Sequence, residues 1–156
     1  MASDIFLKLE GIKGEATAEG HKEEIELQSF SFGVSNAGSG VGSGQGAGKA
    51  SFSDISVSHM TDASSPAIMQ ACAIGKHFPK AWIYQRKAGG SQLEFIKIEL
   101  DEVFVTGWSI GSSEAPMDSF SLTFSKIKYE YQPQDEKGAK KGGAIPGTFN
   151  LKEVKK

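Results

Sequence analysis

The chain has almost no cysteine. Cys72 stands alone among 156 residues, so no internal disulfide framework holds the fold. No apolar run approaches the roughly 20 residues that a membrane-spanning helix requires. The longest early apolar stretch, residues 5–7, is too short for a secretory leader, and no basic start precedes it. A surplus of either charge is also missing. Seventeen Lys and Arg face nineteen Asp and Glu, for a formal net charge of −2. That balance lacks the concentrated positive charge that nucleic acid or an anionic membrane surface selects. The composition is that of a soluble globular protein, and the length suits one domain over residues 1–156 with a core of its own.

Histidine is scarce too, and the three present, His21, His59 and His77, are far apart. None has a second His or Cys at metal-ligand spacing. His59 and His77 read as satisfied structural histidines. Cys72 reads as a small hydrophobe on a helix face. The acids Glu23, Glu24, Glu26, Asp101 and Glu102 are adjacent or alternate, a pattern of solvated strand ends rather than of a converging catalytic pair. The expectation is a protein without catalytic site, cofactor or metal.

What is present is period-two alternation. It predicts strands over 4–9, 24–34, 50–60, 81–87, 93–108 and 119–131, with a short one at 148–151. Gly89-Gly90 suits a hairpin turn. One helix is predicted after residue 64. Ser64 and Ser65 offer capping oxygens, Pro66 suits the first turn and Gly75 the stop. Ile68, Met69 and Cys72 are expected to form its apolar face. Three of the strands change parity midway. Ile25 and Leu27 give way to Phe30, Phe32 and Val34; Phe52 to Ile55 and Val57; Phe120, Leu122 and Phe124 to Ile127, Tyr129 and Tyr131. Since one residue of slip exchanges the two faces, these strands must bulge or coil, as strands of a small barrel do.

Opposite the aromatics lie small hydroxyls. Ser29 and Ser31 alternate with Phe30 and Phe32; Ser119, Ser121, Thr123 and Ser125 alternate with Phe120, Leu122 and Phe124. An ordinary solvated sheet face is one reading; since exposed strands usually carry charge against edge pairing, the other is a wet surface that must not hold its contents by charge.

Glycine is the excess, with 19 residues. Gly38, Gly40, Gly42, Gly44, Gly46 and Gly48 recur through the arm 35–49, interleaved with Val41, Gln45 and others and closed by Lys49. Run out and back, such an arm reaches roughly 20–25 Å at ~3.3 Å per residue. It is not a P-loop, because Ser43 stands where the first glycine belongs and Ala50 where the hydroxyl residue belongs. Gly42-Ser43-Gly44-Gln45-Gly46-Ala47 fits a loose dinucleotide fingerprint, but a strand follows it instead of a helix. Two readings remain, a plain flexible loop and, favoured over it, an arm that orders against a neighbouring copy. From 132 to 156 the chain is polar.

Several blocks, in order, resemble the Hcp family, the haemolysin-coregulated proteins of type VI secretion. They are Asp4-Ile5-Phe6-Leu7-Lys8-Leu9-Glu10-Gly11-Ile12-Lys13-Gly14-Glu15, the segment ending Gly46-Ala47-Gly48-Lys49, the helix from Ser64-Ser65-Pro66 through Gly75-Lys76-His77-Phe78-Pro79-Lys80-Ala81, then Arg86-Lys87-Ala88-Gly89-Gly90, and Tyr129-Glu130-Tyr131-Gln132-Pro133-Gln134. The resemblance implies a small β-barrel of two packed, strongly curved antiparallel sheets with one flanking α-helix, like phage tail-tube proteins. It implies a hexameric ring closed by head-to-tail contacts. Rings would stack into a tube within a contractile sheath, to be expelled with a VgrG-type spike and effectors in the lumen. Secretion would then need no signal peptide. On that reading Ser29 and Ser31, with Thr123 and Ser125, line the lumen, and the arm residues Gly38, Gly40, Val41, Gly42, Gly44, Gln45, Gly46, Gly48 and Lys49 bridge subunits or rings. Two rival expectations are an isolated β-sandwich ligand-binding module using Trp82, Tyr84 or Trp108 as platforms, and a hydrolase with an unrecognised pocket.

Overall fold

The computed structural model describes residues 3–36, 49–87 and 93–153; the hairpin expected at Gly89-Gly90 lies outside them. The strands are β1 (Ser3–Leu9), β2 (Ile25–Leu27), β3 (Ser29–Ser31), β4 (Val34–Asn36), β5 (Ala50–Phe52), β6 (Ile55–Met60), β7 (His77–Lys87), β8 (Glu94–Gly111), β9 (Met117–Thr123), β10 (Lys126–Tyr131) and β11 (Ile145–Asn150), with α1 (Ser65–Ile74) before β7. Every pairing is antiparallel. The main sheet runs β2-β1-β7-β8-β9-β6-β3, with β10 and β11 branching from β8, while β4 and β5 form a separate ribbon.

The parity switches explain how this sheet curls. At each switch one strand ends and another begins with new partners. After Leu27 the chain leaves β1, and Gln28 donates its N–H to Ser58 O (2.7 Å) as β3 joins β6. The strands at the two ends of the path are therefore consecutive in the chain, and β2 also lies beside β6. After Phe52 the chain passes from the β4 ribbon to β3 and β9. After Thr123 it passes from β6 and the far half of β8 to β11 and the near half of β8. Each handover re-aims the apolar set inward, so Ile25, Ile55, Phe120 and Ile127 all reach one core despite their parities.

β8 turns its own corner at Glu102, which has a positive φ of 54°. Before it β8 pairs with β10, and after it with β9. The Lys152 ammonium paired with the Glu102 carboxylate, with the Ser125 hydroxyl a smaller contributor, holds its pKa below the ordinary value.

The helix stops as expected, with Gly75 left-handed at φ 68° and its N–H returned to Ala71 O and Cys72 O. Its start differs. Ser64 Oγ donates to Asp62 Oδ1 (2.5 Å) and makes no capping bond, while Ser65 Oγ accepts the N–H of Asp62. Its buried face also differs: Ile68 and Ala71 are buried and Cys72 half-buried, but Met69 is 47% exposed. α1 packs chiefly against β8, and Met69 points away from the buried stripe.

Candidate functional site

Serine alternates with apolar residues on four neighbouring strands, and the pleat sends all the hydroxyls outward. Registration then aligns them. One row across β3, β6, β9 and β8 reads Ser31, Ser56, Ser121, Gly107; the next reads Ser29, Ser58, Ser119, Ser109. Beneath them Val57 and Phe120 are buried. The rows line a shallow, open depression of about 460 Å³. The hydroxyls pair sideways: Ser29 Oγ lies 2.7 Å from Ser58 Oγ, and Ser121 Oγ lies 2.8 Å from Thr106 Oγ1. Thr106 sits where the β8–β9 register shifts, and that irregularity lets it hydrogen-bond Ser121 while donating to Asp54 Oδ2. Gly107 keeps the row flat, since a Cβ there would come 3.3 Å from Ser121 Oγ. No charged side chain stands in either row.

Ser29 and Ser31 thus belong to one surface, and Thr123 follows Ser121 on the same parity of β9. Ser125 does not. It lies in the corner between β9 and β10, with its N–H and hydroxyl both donated to Asp101 O (2.9 and 3.3 Å). Sequence reasoning missed Ser56, Ser58 and Ser109. Their alternation was visible, but only the register places them beside Ser29 and Ser119. Of the arm, Gly38, Gly40, Val41, Gly42, Gly44, Gln45, Gly46 and Gly48 lie outside the described residues; Lys49 is exposed just before β5.

The titratable groups gather elsewhere. His21 is buried and stacks on Phe6 (centroids 4.4 Å, 6°); its Nδ1 lies 2.8 Å from Glu24 Oε1 and its Nε2 2.5 Å from Glu94 Oε2. The Arg86 guanidinium also lies over the Phe6 ring and donates to Glu19 O. This stack pins the 10–24 loop to β1 and β7. Tyr84 lies beside it, and burial, then Glu24, Glu94 and Glu99, push its pKa up to about 12. Hydrogen bonds to Asp101 and Glu99 hold Lys80 above the usual lysine range.

Of the acids expected as solvated strand ends, Glu23, Glu26 and Glu102 are exposed, whereas Glu24 is held by His21 and Asp101 by Lys80. His59 departs from expectation as well. It is fully buried, yet neither ring nitrogen has a hydrogen bond; Nε2 stands 3.3 Å from Asp118 Oδ2 and Nδ1 3.9 Å from Asp62 Oδ1. His77 is exposed beside Phe104. Among the described residues no three His, Cys, Asp or Glu side chains form a metal-binding group. Trp82 and Tyr84 are half-buried on β7, and Trp108 packs against the core on β8, so the three form no single platform.

Residues 6–131 match the family described as type VI secretion system effector, Hcp. The chain is 42% identical to protein hcp1 of Pseudomonas aeruginosa, over 98% of both chains. Among solved structures it is similar to a type six secretion system protein (TM-score 0.90, 28% identity, 99% of both chains) and to Hcp1 of Salmonella typhimurium (TM-score 0.81, 32% identity, 99% of both chains).

Proposed function

The chain belongs to the Hcp family and is a type VI secretion tube subunit, and from that premise we propose that it closes into hexameric rings whose channel is walled by the serine rows. The observation that carries this reading is the registration of seven serines and a glycine, without a charge, across four strands. A cargo moving along a charged wall would be held at each ion pair. Hydroxyls, some already paired as Ser29–Ser58 and Ser121–Thr106 are, present a hydrated surface with little to grip. In a ring built by one repeated heterologous contact, a single subunit's patch becomes a continuous lining.

Ser29, Ser31 and Thr123 are channel residues on this reading, and the arm around Val41 and Gln45 reaches a neighbouring subunit or ring. Stacked rings travel inside a contractile sheath behind a VgrG-type spike, with effector proteins in the lumen. The subunit leaves the cell by this route.

Light scattering after size-exclusion chromatography, with negative-stain images of the peak, tests the ring. Six chains of 16.6 kDa give about 100 kDa and open-centred particles. A monomer at all concentrations would remove the channel. Ser31→Arg places a bulky charge on the lining. It should leave the rings intact and abolish effector retention, and unchanged retention would count against the assignment.

A further inference from the structure

The serine face does not end in serine. The next outward positions on β6 and β9 are Met60 and Met117, directly opposite each other and 41% and 36% exposed. Met60 also borders a groove of about 330 Å³ with Glu15, Glu26, Gln28 and Asp62, and no Lys or Arg lines it. Its carboxylates keep capacity free. Glu26 has no partner among the described residues. Glu15 gives one oxygen to the Ala63 N–H (2.7 Å), and Asp62 gives one to Ser64. Behind Asp62 lies His59, fully buried and without a hydrogen bond, its Nδ1 directed at the Asp62 carboxylate that forms the groove wall.

We propose that this patch, Met60 and Met117 beside the Glu15, Glu26 and Asp62 carboxylates, docks a segment of an exported protein that carries a lysine or arginine next to an aliphatic or aromatic side chain. The inference rests on the channel reading of the serine face. Methionine is unbranched and polarisable, so one pair accommodates apolar side chains of many shapes. Three carboxylates without a lining cation select positive charge, and the alkyl stem of a lysine or arginine can lie along the thioethers while its head reaches the acids. The wall beside the patch offers only hydroxyls and Gly107. In a ring the patch would repeat at one mouth of the channel, so cargo is held at the rim and slides along the wall.

The test titrates purified rings with a short fluorescent peptide of leucine and lysine. A leucine–glutamate peptide and a lysine–serine peptide serve as controls. Anisotropy reports the groove, and native mass, measured in parallel, reports the ring. The leucine–lysine peptide should bind at least about tenfold more tightly than either control. The Met60→Ser/Met117→Ser double variant and Glu26→Lys should each lose that preference at unchanged native mass. Glu26 is exposed and partnerless, so its variant isolates charge from folding. Equal binding of the three peptides, or unchanged binding in both variants, overturns the docking site while leaving the ring reading intact. Variants that alter ring stacking but not peptide binding overturn it in favour of a second copy as occupant. Loss of the hexamer mass in the unmodified chain defeats the channel reading on which the proposal rests.

Discussion

Two outward faces of one sheet solve opposite problems. Across β1 and β7 the surface is crowded with charge: Arg86 and His21 flank the Phe6 ring, Glu24 and Glu94 close on His21, and Tyr84 lies beside His21. Across β3, β6, β9 and β8 the surface is a grid of hydroxyls. The charged face fastens a loop, because each charge there has a partner within the chain. The neutral face fastens nothing. The comparison teaches that here charge marks a permanent contact and its absence marks a surface meant to stay free.

The most forceful way to break that contrast is to remove the centre of the stack. Phe6→Ala deletes a ring that is 1% exposed and should cost about 3–5 kcal/mol, the range for buried Phe truncations, read by denaturant unfolding. Next in size is Gly14→Ala. A Cβ at Gly14 would stand 2.5 Å from the backbone oxygen of Glu24, and backbone cannot swing aside. About 1–3 kcal/mol is expected, with faster proteolysis of the 10–24 loop. That outcome would confirm that the loop is held by close backbone fit as well as by charge.

A smaller effect sharpens the charged side alone. The folded state keeps Tyr84 neutral beyond its ordinary range, from 10.0 to about 12. Between those values the folded chain holds more protons than the unfolded one, so stability present below pH 10 is lost as pH rises through 12. Tyrosinate absorbance should show one late-titrating group, absent in Tyr84→Phe, and that variant should lose less stability over this interval. The smallest change belongs to the neutral face. Ser58→Ala removes the Ser29–Ser58 contact yet should shift stability by no more than about 0.5 kcal/mol, the ordinary range for surface substitutions.

The strands were legible because alternation is a local property. The parity switches were legible too, and they mark where the chain changes partners. Their destinations were not, because nothing near Gln28 names β6. The serine grid was half readable: each strand shows its own alternation, while alignment depends on register. The His21 clasp was hidden because Glu94 is 73 residues away in sequence. β7 begins at His77 rather than residue 81, and β11 at Ile145 rather than 148. Pro79 and Pro146 obscured both starts, although an edge strand such as β11 tolerates proline. Met69 was misplaced because a short helix packed on one side buries a narrower stripe than its apolar residues suggest.

The serine grid's role turns on where it points in the assembled ring. In a Cys72→Ala background, Ser58→Cys labelled with a maleimide gold cluster and imaged by electron microscopy locates it directly. The account predicts gold density inside the central opening of every ring; gold on the outer rim would contradict it.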